Sequence, residues 1–455
     1  MFLIFLGITG VFLLLTWPGM WRWDEFHVLE SAKYIQFNAY QNYITSMFYI
    51  FSLMLFPFPA SVVMMQVILG SAIAAWIVAT AWTQCNLSKI WVAVLSIPFL
   101  LPAAIGSLLY PLRLSLFAYF EVFLYFYIYF RVLKIKKLGF ASGMVICSVT
   151  VLLSAWRGET IFYALFIPLL VCALLWKTNS KRMLTFFAAI TLALSLGASA
   201  YQSQIEIQAF GNQYKIISML NFVNTISKNN GFTEQETDNI EKVLSLKVLD
   251  EEGPGAIWNP SLGLVKEYDN DDFADLQNQY IKLVLKYPMQ FAKQQFAIFL
   301  NANGMGGKLS SPFVEKSYNL YSDEFLSGYK GDTIHRTFFC ERLTQPININ
   351  VRSATIRFLQ CVKLSSDENN LFFPIMYNSM PWIIWLMILL VMSIVKKDLF
   401  WCGVSFTVLC KTALVVVAAP GNSFMYYFPT FLVGCTTFLF ILAKVLNERK
   451  SKNKI

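Results

Sequence analysis

The chain has 455 residues, of which 56% are hydrophobic and only 14% charged, with 36 Lys and Arg against 27 Asp and Glu for a net charge of +9. A soluble globular protein is about 25% charged, so this composition excludes an ordinary soluble enzyme and predicts an integral, all-α membrane protein with many spans. The basic excess gathers beside apolar runs, as cytoplasmic loops require, and needs no nucleic-acid partner to account for it.

In chain order, Phe2 to Trp17 is almost wholly apolar, with no basic cluster before it and no small-residue cleavage pattern after it, and reads as a retained first span. Residues 18–59 follow as a loop with acidic residues near its start. Within that loop Tyr43 to Phe56 is apolar but short, and Pro57 and Pro59 end it, which fits a re-entrant or interfacial segment better than a crossing. Further spans are predicted over residues 60–82, 90–110, 113–130, 139–155, 159–176, 183–201, 379–395, 399–419 and 424–443, about ten in all. The polar stretch 202–378 divides a membrane module over 1–201 from a second over 379–455. In that stretch the spacing of Phe273 to Phe299 predicts helix, interrupted at Tyr287-Pro288. Asn229-Asn230-Gly231, Gly253-Pro254-Gly255 and Gly304-Met305-Gly306-Gly307 punctuate the stretch as turns.

Four basic clusters set the orientation: Arg131 with Lys134, Lys136 and Lys137; Lys177 with Lys181 and Arg182; Lys396 with Lys397; and the tail from Lys444 to Lys454. All four belong in the cytoplasm. The long polar stretch then lies outside, with the turns at Tyr110–Arg113, Arg157–Glu159 and Pro420–Asn422. If Tyr43–Phe56 does not cross, the N-terminus is cytoplasmic and residues 18–59 are outside; if it crosses, there is one more span and that loop is inside. The short length favours the first arrangement.

Two histidines, His27 and His335, are too few for a His-built metal site, so any divalent cation would be held by oxygen. Six cysteines lie in or beside apolar runs; Cys340 and Cys361 lie in the polar stretch, where either a disulfide or two free thiols fit the spacing.

Asp24, Glu25 and His27 follow Trp21 and Trp23, whose indoles suit the headgroup level. On a helix, Asp24, His27, Ser31 and Tyr34 share one polar face. A carboxylate there can take a proton from a hydroxyl or hold a divalent ion; equally, an acidic first turn complements a helix dipole. Arg157-Gly158-Glu159 breaks an apolar stretch from Ser148 to Trp176. That arginine can bind a lipid phosphate through paired hydrogen bonds with Glu159 orienting it, or snorkel to water from a simple turn. Arg113 is a second phosphate candidate. Glu121 and Lys411 lie inside apolar spans and each needs a partner, either the other or an ion pathway.

Together with the layout, four stretches carry a resemblance: Pro18-Gly19 before Trp23-Asp24-Glu25; Trp156-Arg157-Gly158-Glu159; Tyr280-Ile281-Lys282-Leu283-Val284-Leu285-Lys286-Tyr287-Pro288; and Phe424-Met425-Tyr426-Tyr427-Phe428-Pro429. They resemble the GT-C superfamily of membrane glycosyltransferases, in particular bacterial cell-surface polysaccharide members. The resemblance implies transfer of a sugar from a polyprenyl-phosphate carrier to a glycan, protein or lipid acceptor on the outer face of the cell membrane. It makes Asp24 the general base, Glu25 its understudy or a metal ligand, and Arg157 and Arg113 the binders of the departing phosphate, with His27 only loosely matching the family's His position. Two departures stand: Leu101–Arg113 lacks the acidic residue many members carry, and no acidic residue is followed closely by His-Pro. Two other readings remain open. One is a polymerase or ligase for a diphosphate-linked glycan, using Arg336, Arg342, Arg352 and Arg357. The other is a lipid or glycan transporter, which predicts paired halves, and no internal repeat is visible.

Overall fold

The structure is a computed structural model and describes residues 1–305 and 342–452, apart from 22, 39, 40, 366, 367, 369, 420 and 422. It is helical throughout, with no strand among the described residues and a single isolated bridge between Leu244 and Val265. Apolar stretches of this length have no water to satisfy their amides in lipid, so each must close its hydrogen bonds within itself as helix.

The first module contains α1 (Phe2–Leu15), α2 (Trp23–Lys33), α3 (Tyr43–Leu55), α4 (Ala60–Cys85), α5 (Lys89–Leu100), α6 (Pro102–Leu109) and α7 (Arg113–Tyr127, continued as a π-turn to Leu133). It continues with α8 (Phe140–Trp156), α9 (Tyr163–Leu175) and α10 (Lys181–Phe210). Between the two membrane modules come α11 (Gln213–Asn230), α12 (Glu234–Glu241), α13 (Leu246–Glu252), α14 (Asn270–Lys286), α15 (Pro288–Ala302), α16 (Ile349–Leu359) and the short α17 (Phe373–Met376). The chain closes with α18 (Met380–Val395), α19 (Leu399–Ala418) and α20 (Phe428–Lys452).

Among the described residues, seven helical segments are long and apolar enough to cross a membrane: α4, Arg113–Leu133, Gly158–Leu175, α10, Phe373–Val395, α19 and Phe428–Arg449. The chain is an all-α multi-pass membrane protein. The span expected over 90–110 is a pair of helices, α5 and α6, bent by 50° where Pro102 opens the second. The first expected span, Phe2 to Trp17, is a helix of 14 residues, and the span expected over 139–155 is α8, 17 residues as anticipated. At a rise of roughly 1.5 Å per residue these reach about 21 and 26 Å, less than the roughly 30 Å of a hydrocarbon core. Nevertheless α8 runs the depth of the bundle: Leu138 before it donates its N–H to Asn179 Oδ1 near one end, and Trp156 at its last turn donates to Thr45 Oγ1 near the other.

The basic clusters converge on one end. Lys134 Nζ donates to the Gln84 carbonyl (2.7 Å), Lys444 Nζ to the Tyr129 hydroxyl (3.1 Å) and Asn447 Nδ2 to the Asn86 carbonyl (3.0 Å). Tyr129 also packs against Trp401, near Lys396 and Lys397, at 5.6 Å between rings. The polar loops collect at the opposite end, where Met20 N–H bonds the Leu109 carbonyl, Gln360 Nε2 bonds Tyr110 Oη and Ser379 N–H bonds Asn303 Oδ1.

At that second end α10, 30 residues long, projects beyond the bundle into a lobe with its own core of Ile216, Leu220, Val223, Ile226, Ile240, Leu249, Leu276 and Leu283. Its helices start where the sequence offers reciprocal caps, Thr233 with Glu236 and Asp269 with Asp272. α11 and α13 end at Gly231 and Gly253, both at positive φ, as the turn motifs predicted. The helix expected over Phe273–Phe299 divides at Tyr287, and Pro288 takes the first position of α15, where its missing N–H costs nothing. The expected turn at Gly304 is present, while Gly306 and Gly307 lie outside the described residues. Cys361 carries a buried free thiol, whereas Cys340 lies outside the described residues.

Candidate functional site

The segment entering α2 is fixed from several sides. Trp21 is fully buried, stacks on Phe26 at 5.8 Å and meets Tyr49 edge-on at 6.3 Å. Arg352 of α16, 1% exposed, donates from Nη2 to the Gly19 carbonyl at 2.9 Å. This support places Asp24 and Glu25 in the first turn of α2, near the positive end of its dipole. The two acids then differ. Asp24 is half-buried, while Glu25 is 1% exposed and turned into the protein. Glu25 therefore presents less surface than Asp24 at this end of the bundle. His27 is half-buried on the same helix, and its carbonyl accepts from Ser31 Oγ and Asn38 Nδ2. Tyr34, expected to share that face, falls just past the helix and is 72% exposed.

The second group stands where α8 ends. Arg157 takes an extended backbone, and a 3-10 turn over Gly158–Thr160 follows. Thr160 Oγ1 locks this turn by donating to the carbonyls of Leu153 (2.7 Å) and Arg157 (2.8 Å). Within it Arg157 and Glu159 form an ion pair. The arginine side chain is only 8% exposed and the glutamate 23%, so Arg157 does not snorkel to water. Arg113 opens α7, donates from Nη1 to the Gln41 carbonyl at 3.4 Å, and lies within electrostatic reach of Glu159. The structure thus brings Arg113, Arg157 and Glu159 together.

The α2–α3 hairpin is sewn to both loops that carry these arginines. Asn42 Nδ2 donates to the Ala155 carbonyl (2.9 Å), Trp156 Nε1 to Thr45 Oγ1 (2.9 Å) and the Tyr49 hydroxyl to the Pro111 carbonyl (2.8 Å). Asp24, Glu25 and His27 therefore sit on the same end of the bundle as the arginine group and on the element that braces it.

Inside the bundle, Glu121 of α7 and Lys411 of α19 pair at 2.5 Å, with side chains 0% and 2% exposed. Tyr163 at the start of α9 donates its hydroxyl to the other carboxylate oxygen of Glu121, and the Lys411 ammonium lies 5.5 Å above the Phe117 ring. Lys411 is also within electrostatic reach of Arg157 and Glu159, so charge runs from the bundle end into its interior. Of the two sequence readings for Glu121 and Lys411, mutual pairing is the arrangement present.

Sequence reasoning missed Tyr163, whose only signal is a hydroxyl-bearing ring four residues after Glu159, and it missed Arg352 as a brace. Arg357 donates from Nη1 to the Lys363 carbonyl at 2.8 Å. Arg352 and Arg357 are thus engaged with backbone, while Arg336 and the side chain of Arg342 lie outside the described residues. Among the described residues no group of three or more His, Cys, Asp and Glu side chains converges as a metal site. Comparison of the chain with protein families, with curated proteins and with solved structures finds no match in any of the three.

Proposed function

We propose that this protein is a GT-C-like membrane glycosyltransferase that moves a sugar from a polyprenyl-phosphate carrier to a glycan or lipid acceptor on the extracytoplasmic face of the cell membrane. One observation carries the reading: a half-buried carboxylate, Asp24, and an arginine group, Arg113 with the Arg157–Glu159 pair, share the bundle end opposite the basic clusters. By the charge rule the basic end is cytoplasmic, which puts this site outside.

In the proposed reaction the Asp24 carboxylate takes the proton of the acceptor hydroxyl as its oxygen bonds to the anomeric carbon. The bond from that carbon to the phosphate oxygen breaks, and its electron pair leaves with the carrier phosphate. Arg157, held in place by Glu159, offsets the charge that grows on that phosphate, and Arg113 adds a second cation. Glu25 and His27 stand beside Asp24 on the same helix.

The test is transfer from a panel of polyprenyl-phosphate hexoses in membranes holding Asp24→Asn. Loss of a general base lowers turnover by about 100-fold or more, while the amount of protein in the membrane stays at the wild-type level. Undiminished transfer by that variant removes Asp24 from the mechanism.

A further inference from the structure

Two of the four basic clusters meet at one spot. Asn179, in the turn between α9 and α10, clasps the backbone of Leu138 just before α8. Leu138 donates its N–H to Asn179 Oδ1 (3.1 Å), and Asn179 Nδ2 donates to the Leu138 carbonyl (3.3 Å). This clasp closes a gap of 41 positions in the chain. It sets Lys136 and Lys137, which precede Leu138, beside Lys177, Lys181 and Arg182, which flank Asn179. From it α8 and α10 rise side by side, at the roughly 8–10 Å separation of packed helices.

All five cations are exposed. Neither segment, 131–142 nor 174–190, contains an Asp or Glu. Among the described residues none of the five takes part in an ion pair. The neighbouring basic residues Lys134 and Lys444 differ, being committed to the Gln84 carbonyl and the Tyr129 hydroxyl. The preference of cytoplasmic loops for Lys and Arg accounts for each cluster separately. It does not account for five uncompensated charges converging at one point, where they repel one another and an anion relieves the repulsion.

The surroundings identify the anion. Lys181 Nζ lies 5.3 Å over the Trp176 ring, an indole suited to the headgroup level. In the first turns beyond the cations, Phe140 and Met144 of α8 and Phe186 and Ile190 of α10 are 38–84% exposed. The row continues along the spanning helix α10 at the exposed Leu194. A free phosphate has no use for this apolar surface, whereas acyl chains attached to the phosphate do.

We propose that the base of α8 and α10 is a binding site for an anionic phospholipid whose headgroup carries two phosphates. Lys136 and Lys137 meet one phosphate. Lys177, Lys181 and Arg182 meet the other, the arginine through paired hydrogen bonds. The acyl chains run along Phe140, Met144, Phe186 and Ile190, so one lipid ties the start of α8, the helix that ends at Arg157, to the start of α10, the helix that carries the outer lobe.

The full-length protein in a neutral detergent is mixed with equal amounts of cardiolipin, phosphatidylglycerol and phosphatidylcholine, and the retained lipids are counted by native mass spectrometry. Cardiolipin is expected to be retained in preference to the other two and not to be displaced by inorganic diphosphate at the same concentration. Lys137→Gln, Lys177→Gln and Arg182→Gln together should lower its retention by about tenfold or more. Lys396→Gln, Lys397→Gln and Arg449→Gln, which remove as many charges from the same end, should leave it at the wild-type level. Equal loss in both triple variants, loss in neither, equal retention of phosphatidylglycerol, or displacement by diphosphate overturns the proposal.

Discussion

Removing one partner of the Glu121–Lys411 pair is the sharpest test of how the bundle is held. The two charges lie 2.5 Å apart with side chains at most 2% exposed, and at an effective dielectric of about 20 their attraction is about 7 kcal/mol. Most of that offsets the desolvation of two ions, so the intact pair contributes little net stability, whereas orphaning one charge costs about 3–5 kcal/mol. Lys411→Met leaves the Glu121 carboxylate buried with only the Tyr163 hydroxyl, and the midpoint of thermal unfolding in detergent, followed by size-exclusion chromatography, is expected to fall steeply. Glu121→Gln combined with Lys411→Met removes both charges and keeps an acceptor for Tyr163, so the double variant regains most of the loss. A neutral single variant, or a double variant as damaged as the single, would refute the reasoning.

Arg157→Ala paired with Glu159→Gln, which avoids an orphaned carboxylate, is expected to raise the KM for a polyprenyl-phosphate hexose by about tenfold or more, the equivalent of about 1.4 kcal/mol, without lowering the unfolding midpoint; an equal loss of both favours a structural turn. Gly434 approaches Trp382 so closely that an added Cβ would lie 2.6 Å from the Trp382 Cβ and 3.2 Å from its Cα. Gly434→Ala should therefore separate α18 from α20 at a cost of about 1–3 kcal/mol, read from the same unfolding midpoint. Burial pushes the Cys361 thiol up to about 11, so at pH 8 only about one molecule in a thousand carries the thiolate; peptide mapping after iodoacetamide at that pH should find it unmodified in the folded protein and modified after denaturation. In the outer lobe, burial tends to raise the Glu236 carboxyl, but Lys286 and the Thr233 N–H outweigh it and hold it below its ordinary value of 4.5. Its stabilisation is present above pH 4.5 and is lost as pH falls through the folded value, so hydrogen exchange of α12 should accelerate in acid more in the wild type than in Glu236→Gln.

The parts of this fold legible in the sequence are those fixed by local chemistry. Apolar runs with no alternative to helix gave the spans, Pro288 marked the break between α14 and α15, and Gly231 and Gly253 marked helix ends. The isolated charges Glu121 and Lys411 announced that each needed a partner, because an unpaired charge inside a bundle is too costly. What was not legible depends on contacts distant in the chain. That Glu25 turns inward while Asp24 stays half-open follows from packing against segments far from α2, and Arg352 reaches Gly19 across 333 positions. The anchoring of α3 likewise depends on Gln202, Trp156 and Pro111, none of which its own composition can reveal. Hydropathy also overstated α1 by two residues, since it counts apolar residues without seeing that Thr16 ends the helix.

The most direct test of the account is the side of the membrane reached by the end of α2. Lys33, exposed at the last turn of the helix that carries Asp24, is replaced by cysteine, as is Lys137 at the basic end. A membrane-impermeant maleimide is then applied to intact cells, with labelling scored above the wild-type background. The account predicts that Lys33→Cys is labelled in intact cells and Lys137→Cys only after the membrane is opened; labelling in the reverse order would put the acids in the cytoplasm and contradict sugar transfer at the outer face.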